Sequence, residues 1–330
     1  MNSIIKNTFD EDFNKIDNAI IEDLHPIKTG NYHIVTNEIM NLYTVVNRWI
    51  KNRAPGAIIY GSPRLGKTKA IEYLKYYLKE DYGESLPIFT MLCSDHKPNE
   101  NKFYTELLKS VGHSFYNQGK ADIKKERLIR FFIEKAEGTK FRKIILFIDE
   151  SHMLFEKDYN WLMDIYNQLD SRSITMTVIL VGQEELMHQR SSFIAGNKKQ
   201  IVGRFMIHEY KFSGIKTLDD IKTCLNGYDV YSEYPTNSRC SFTKYFFTDA
   251  YNDGLRLSED AELIFDTFQK IRLEFNINSP FEIPMQYFTL SIDNCLNTFG
   301  ADGKGVYWPN KTNWYESIKL SGYINSEILM

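Results

Sequence analysis

The sequence has few cysteines and no long apolar run. Its 330 residues include four cysteines, which are scattered without C-x-x-C spacing: Cys93, Cys224, Cys240 and Cys295. We therefore expect no disulfide framework and no zinc site, and the thiols suit a reducing cytoplasm. No apolar run approaches the roughly 20 residues that span a bilayer, and the N-terminus is acidic, unlike a signal peptide. These features predict a cytoplasmic protein with no membrane partner.

The net charge is small and unevenly distributed. A formal charge of −3 excludes a protein that is held to nucleic acid by bulk charge. Residues 31–210 nevertheless carry 26 Lys and Arg against 21 Asp and Glu, and both flanking segments are net acidic. In a ring-shaped assembly, a few such residues per subunit could follow a phosphate backbone. For any single lysine, a solvated helix face is the better explanation.

A complete phosphate-binding motif lies between a predicted strand and a predicted helix. Its pattern is G-x-x-x-x-G-K-[ST], and its residues are Gly61, Ser62, Pro63, Arg64, Leu65, Gly66, Lys67 and Thr68. An apolar run, residues 57–60, precedes it, and apolar residues recur at helical spacing after it. In this context the backbone N–H groups surround a β-phosphate, Lys67 reaches the β- and γ-phosphates, and Thr68 ligates Mg²⁺. The motif predicts binding of a nucleoside triphosphate.

A second apolar strand ends in two acidic residues. Residues 143–148 are followed by Asp149 and Glu150. An acid at the carboxyl end of a parallel strand points into the crevice where the phosphates lie. We expect Asp149 to hold Mg²⁺ together with Thr68, and Glu150 to polarise the attacking water as a general base. Alone, such a pair would be an ordinary solvated turn, but the upstream loop favours the functional interpretation.

The segment between these motifs predicts the branch of ATPases and the fold. It holds one further strand, residues 88–92, and two helices, and an inserted strand is typical of ATPases with a catalytic glutamate. The segment 310–313 reads Asn-Lys-Thr-Asn and lacks the final Asp of the Asn-Lys-x-Asp pattern that reads guanine, so adenine is favoured by default. We predict an α/β fold, a P-loop core with a central parallel sheet flanked by helices and followed by a small helical lid, with ATP and Mg²⁺ as cofactors.

One glutamine and two arginines complete the candidate site. Gln183 follows the predicted strand 175–181, between two phosphate-side strands, and could contact both the γ-phosphate and the lytic water. Arg204 lies downstream, where an arginine can enter a neighbouring subunit's site and offset charge on the transferred phosphoryl group; Arg190 is the second candidate. The alternatives are a helix-capping glutamine and surface ion pairs. An arginine that acts in trans implies a homo-oligomeric ring or filament.

These motifs together resemble the AAA+ ATPases of the TnsC/TniB/MuB family, the transposition regulators. The resemblance covers residues 30–210 and rests on four segments: Tyr60–Thr68, Ile148–His152, Leu180–Leu186 and Gln200–Phe205. The length and short C-terminal part are most similar to TnsC of CRISPR-associated transposons. The resemblance implies an ATPase that oligomerises on double-stranded DNA. It also implies recruitment by a target-selection complex, a TniQ-type adaptor with a CRISPR effector, and activation of transposase subunits.

The predicted DNA contacts flank the insert that follows the second strand. They are Lys97, Lys102, Lys124 and Lys125, and they are chosen by location alone. The chain as a whole is expected to comprise three segments: an N-terminal extension (1–30), a nucleotide-binding core (31–210), and a helical lid with a tail (211–330).

The C-terminal part is rich in aromatic residues. Apolar periodicity predicts three lid helices, over residues 218–225, 259–275 and 285–298. Residues 226–242 are rich in Tyr, Ser, Asn and Pro and predict a loop. The tail from residue 306 has no clear period, and it could dock onto a neighbouring subunit or the transposase.

Two other functions stay open on the sequence alone. An ATPase of the ExeA type, associated with secretion, would share the fold and act on protein, although no membrane- or wall-binding extension is visible. A nucleotide-gated scaffold would bind ATP without hydrolysing it. A helicase is a weaker third possibility, because Asp149–His152 matches D-E-x-H but companion helicase motifs are absent from the sequence.

Overall fold

The computed structural model describes residues 25–329, which divide into two compact units. Residues 38–213 form one unit, and residues 25–37 together with 214–329 form the other. Most of the predicted N-terminal extension, residues 1–24, lies outside the described residues. The predicted segment boundaries after residues 30 and 210 stay predictions.

The first unit is built on a parallel sheet of five strands. The strands are β1 (Gly56–Tyr60), β2 (Ile88–Leu92), β3 (Lys143–Asp149), β4 (Thr175–Gly182) and β5 (His208–Lys211). Their order is β2-β3-β4-β1-β5, and all four pairings are parallel. The predicted strands β1 to β4 are confirmed, and β4 lies between β1 and β3 as expected.

Helices cover both faces of this sheet, because alternate strand residues point to opposite sides. Leu146 belongs to a core cluster with residues from the helices between residues 100 and 205, whereas its neighbour Phe147 belongs to a cluster with residues from the helices between residues 37 and 82. The helices are α2 (Asn37–Lys51), α3 (Lys67–Tyr82), α4 (Glu100–Ser110), α5 (Ala121–Glu137), α6 (Glu156–Asp170), α7 (Glu185–Ala195) and α8 (Lys199–Phe205). The predicted core of a parallel sheet flanked by helices is confirmed.

The second unit is largely helical. Its elements are α1 (Pro26–Thr29), α9 (Leu218–Asn226), a π-helical turn (Gly227–Tyr231), α10 (Phe242–Phe246), α11 (Thr248–Asn252), α12 (Ala261–Glu274), α13 (Met285–Phe299), α14 (Lys311–Leu320) and α15 (Tyr323–Leu329). The three predicted lid helices correspond to α9, α12 and α13. No helix within residues 25–329 combines the length and apolar character needed to cross a membrane.

The tail differs from the sequence-based expectation, because it forms two helices. Asn310 caps α14 by accepting hydrogen bonds from the backbone N–H groups of Thr312 and Asn313. Trp314 and Tyr323 are fully buried in the core of the second unit. Aromatic residues that lacked a period in the sequence therefore pack within their own unit.

A buried carboxyl group makes the second unit sensitive to pH. The Tyr32 hydroxyl donates a hydrogen bond of 2.5 Å to Asp293 Oδ1, and it lies 2.8 Å from the Tyr228 hydroxyl. Burial raises the pKa of Asp293 to about 7, although the hydrogen bond from Tyr32 acts in the opposite direction. Because the folded state holds this proton more tightly than the unfolded state, this group favours folding in acid. That contribution is lost as the pH rises towards 7.

We predict that Asp293→Asn, which cannot ionise, gains stability over the wild type as the pH rises. Between pH 5 and pH 8.5 the difference in unfolding free energy should shift in favour of the variant by about 2 kcal/mol. Urea titrations of both proteins at the two pH values measure this shift. A difference that is the same at both pH values would contradict the assignment.

Candidate functional site

The carboxyl ends of β1, β3 and β4 meet at one edge of the sheet. The register pairs Tyr60 with Gly182 and Ile148 with Leu180. The phosphate-binding loop, Asp149 and Gln183 therefore leave the sheet side by side, as parallel strands require. The sequence motifs that lie far apart in the chain converge at this edge.

Two glycines allow the chain to close into the phosphate-binding loop. Gly66 has a φ of 99°, a left-handed conformation that favours glycine, immediately before α3 begins. At Gly61 a Cβ atom would lie 2.4 Å from the backbone oxygen of Phe212, which is too close. The loop thus depends on the absence of both side chains, and it ends at a helix N-terminus, where the helix dipole and free N–H groups favour an anion.

Lys67 lies inside the loop. Its Nζ donates hydrogen bonds of 2.7 Å to the backbone oxygens of Gly61 and Ser62, and the residue is buried. Burial lowers the pKa of Lys67, while the nearby carboxylates of Glu150 and Asp149 act to raise it. The loop therefore holds a cation whose hydrogen bonds are to carbonyl groups and can be exchanged for bonds to phosphate oxygens.

Thr68 and Asp149 are in direct contact at the same edge. Thr68 Oγ1 donates a hydrogen bond of 2.7 Å to Asp149 Oδ2, and Asp149 is 3% exposed. Asp149 Oδ1 accepts a hydrogen bond of 2.9 Å from the backbone N–H of Glu150. A hydroxyl and a carboxylate oxygen are the hard ligands that Mg²⁺ prefers, so the donor set fits this ion. When bound, Mg²⁺ would neutralise charge on the phosphates.

Glu150 occupies a strained position directly after β3. Its φ is 53°, which is uncommon for a residue other than glycine. The next residue, Ser151, is buried, and its hydroxyl donates a hydrogen bond of 2.9 Å to the backbone oxygen of Val181 on β4. This bond fixes the turn against the neighbouring strand. The turn therefore gives Glu150 a defined position beside Asp149.

Gln183 lies at the predicted edge of the sheet, and two acidic residues follow it in the sequence. Glu184 and Glu185 lie near enough to Lys67 to raise its pKa. Glu184 also forms an ion pair of 3.0 Å with Lys211, at the end of β5. Sequence reasoning missed this pair because it missed β5, although the two glutamates directly after Gln183 were visible.

The two candidate arginines make different contacts within the first unit. Arg190 forms an ion pair with Glu209 on β5. The guanidinium of Arg204 lies 4.8 Å from the centre of the Tyr166 ring on α6. One nitrogen of Arg204, Nη1, is buried without a hydrogen-bond partner among the residues that the structure describes. Arg190 Nε is likewise buried without a hydrogen-bond partner in the described part of the chain, so the two arginines differ in that Arg190 has a carboxylate partner.

The four lysines predicted to contact DNA do not share one environment. Lys97 and Lys102 are exposed, on either side of the start of α4. Lys125 forms an ion pair of 2.8 Å with Asp164. Lys124 is 2% exposed, and its Nζ donates a hydrogen bond of 2.7 Å to a hydroxyl on α4. Because its charge is inside the unit, Lys124 does not fit a DNA contact, and we correct that prediction.

A buried carboxylate joins the loop after β2 to the start of α6. Asp158 is fully buried, and its Oδ2 accepts a hydrogen bond of 2.8 Å from the backbone N–H of Phe155. The same oxygen lies 3.1 Å from His96 Nε2, while His96 Nδ1 lies 2.8 Å from the backbone oxygen of Ser94. This cluster, which the sequence did not predict, fixes the loop that carries Lys97.

Comparisons with known proteins agree with this geometry. A family model described as an AAA domain matches residues 51–189. The structure of the Aeropyrum pernix ORC2 protein, solved as ADPNP–ADP complexes, has a TM-score of 0.60 at 13% identity, and the match covers 91% of this chain and 72% of that chain.

Two further solved structures are similar at lower scores. Domain III of the replication initiation protein DnaA of Thermotoga maritima has a TM-score of 0.45 at 14% identity, over 88% of this chain and 95% of that chain. Cdc6p of Pyrobaculum aerophilum has a TM-score of 0.41 at 14% identity, over 88% and 83%. No curated protein matches the sequence.

The fold follows from these findings and from the site. Residues 51–189 match the model of an AAA domain, and the chain has the AAA+ P-loop fold, with the phosphate-binding loop, Asp149 and Glu150 at one edge of the sheet. At 13% identity the likeness to ORC2 shows the fold alone. The closer kinship with transposition regulators stays a prediction.

Proposed function

We propose that this protein is an ATPase that assembles on double-stranded DNA and regulates transposition. The observation that carries the ATPase is the contact of 2.7 Å between Thr68 Oγ1 and Asp149 Oδ2. It joins the end of the phosphate-binding loop to the end of β3, next to a carboxylate that can activate water. A phosphate ligand, a metal ligand and a base thus lie on neighbouring elements.

The residues divide the chemistry of hydrolysis among them. The N–H groups of the loop and Lys67 bind the β- and γ-phosphates, and Thr68 and Asp149 hold Mg²⁺. Glu150 accepts a proton from the attacking water. Gln183, at the tip of β4 between β1 and β3, orients the same water. The other loop residues, Ser62, Pro63, Arg64 and Leu65, shape the backbone.

Arg204 serves the site of a neighbouring subunit. The support is its place on α8, where the aromatic ring of Tyr166 holds the guanidinium but Nη1 has no hydrogen bond to any residue that the structure describes. Phosphate oxygens of a neighbour's nucleotide would satisfy that nitrogen. Arg190 is the weaker candidate because Glu209 already binds it. Hydrolysis therefore requires a homo-oligomer.

The proposed partner of the assembly is duplex DNA. Lys97 and Lys102 are exposed near the loop after β2, and Lys125 is the third candidate contact. Repetition of these charges around an oligomer would offer a path for the phosphate backbone. The motif resemblance to TnsC-type regulators extends the proposal to a target-selection complex and a transposase. In this scheme hydrolysis releases the assembly from DNA.

We predict that Glu150→Gln binds ATP and stays on DNA. Its rate of ATP hydrolysis should fall by at least about 100-fold. The amide keeps the shape of the side chain but cannot take the proton. Retention on a labelled duplex after removal of free ATP measures the effect, and the exposed Glu126→Gln on α5 is the matched control. A salt series should weaken DNA binding steeply.

Measurements of DNA binding and of ATP turnover together distinguish the two other functions. An ExeA-type ATPase that acts on protein would show turnover without DNA binding, and a nucleotide-gated scaffold would show binding without turnover. A Glu150→Gln variant that leaves DNA as fast as the wild type would contradict the proposal that hydrolysis drives release.

We predict that Arg204→Ala binds ATP nearly normally but loses the turnover that assembly stimulates. A mixture of Arg204→Ala with Glu150→Gln should regain turnover, because Arg204 of one variant can complete the intact site of the other. Steady-state ATPase assays of each variant and of the mixture test this. A mixture as inactive as its components, or a monomeric wild type as fast as the assembled form, would contradict action in trans.

A further inference from the structure

The side chain of His152 lies against the proposed general base. His152 Nδ1 is 3.4 Å from Glu150 Oε2, and the His152 side chain is 13% exposed. Nδ1 is buried and makes no hydrogen bond within residues 25–329. A buried polar nitrogen without a partner is costly, and the nearest carboxylate oxygen is that of Glu150. A shift of about 0.5 Å would bring the two atoms to hydrogen-bond distance.

The end of β4 provides the space for this ring. At Gly182 a Cβ atom would lie 3.1 Å from His152 Nδ1 and 2.8 Å from Leu186 Cδ1. The residue between Glu150 and His152, Ser151, is bonded to the backbone of β4 one residue earlier. The turn after β3, the His152 ring and the space left by Gly182 thus lie together beside Glu150.

We propose that His152 is a positioning residue that donates a hydrogen bond from Nδ1 to Glu150 and so directs its carboxylate. This inference rests on the proposed ATPase function. Glu150 alone has a half-exposed side chain on a strained turn, so its carboxylate could otherwise adopt several orientations. A base must lie within hydrogen-bond reach of the water that it activates. In this role His152 acts through Glu150 and needs no contact of its own with the nucleotide or the water.

A positioning role for His152 would affect catalysis but not nucleotide binding, whereas a structural role would affect both. Lys67, Thr68 and Asp149, which bind the phosphates and Mg²⁺ in the proposed site, make no hydrogen bond to the His152 nitrogen that faces Glu150. Loss of the ring should therefore lower kcat and leave nucleotide affinity unchanged. A misplaced base can cost tenfold to a hundredfold in rate.

The test compares His152→Ala with His152→Asn in the full-length protein. The Asn amide nitrogen can occupy the place of Nδ1, so His152→Asn should retain most of the wild-type kcat. His152→Ala should lose about tenfold or more of kcat, with an unchanged KM, an unchanged Kd for a non-hydrolysable ATP analogue and an unchanged melting temperature. The exposed His188→Ala on α7 is the matched control.

A double-mutant cycle with Gly182→Ala provides an independent arm. When His152 is present, the added methyl group should displace the His152 ring and lower kcat. In the His152→Ala background it should have little further effect. Equal losses from Gly182→Ala in both backgrounds would show that the methyl group acts through Leu186 and would overturn the proposed role of the ring.

The outcomes distinguish this inference from the function on which it rests. A wild type that shows no turnover overturns the ATPase proposal and this inference together. An active wild type with an equally active His152→Ala overturns only this inference. So does a pair of variants that lose kcat equally and melt at lower temperature, because the ring would then have a structural role.

Discussion

The contact between the Thr68 hydroxyl and the Asp149 carboxylate is the constraint on which the rest of the site depends. It joins the first turn of α3 to the last residue of β3 over 2.7 Å. Because β4 lies between β1 and β3, the chain must place two parallel strands correctly before these atoms can meet. Any error in strand order or register would separate the phosphate ligands from the metal ligands. The continuous apolar strands, buried on both faces, thus determine the chemistry at their ends.

Several charged side chains lie close together at this edge of the sheet. Lys67 is buried beside Asp149 and Glu150, and burial lowers its pKa while these carboxylates oppose that effect. Glu184 and Lys211 form an exposed ion pair at the ends of β4 and β5. A buried lysine with a perturbed pKa beside two carboxylates is typical of functional sites. The strained backbone at Glu150 is consistent with this, because the surrounding bonds hold it in place.

The sequence predicted the parts that follow from local pattern, and it failed where distant packing decides. Strands β1, β3 and β4 are largely apolar runs that precede candidate site residues, so their order along the chain and their functional ends could be predicted. Strand β5, His208–Lys211, is short and largely exposed, so periodicity could not reveal it. Lys124 was predicted to contact DNA from its location alone, yet it is buried and its Nζ donates a hydrogen bond to a hydroxyl on α4. The aromatic residues of the tail pack into the core around Trp314. No local period in the sequence predicts this packing.

The central claim is that the loop and the Thr68–Asp149 contact form one site for Mg²⁺ and ATP. Calorimetric titration of ATP into the wild type, with and without Mg²⁺, tests it directly when Lys67→Ala and the exposed neighbour Lys69→Ala are titrated beside it. We expect Mg²⁺-dependent binding to the wild type and to Lys69→Ala, and none to Lys67→Ala. Equal binding by all three proteins, or binding that is indifferent to Mg²⁺, would contradict it.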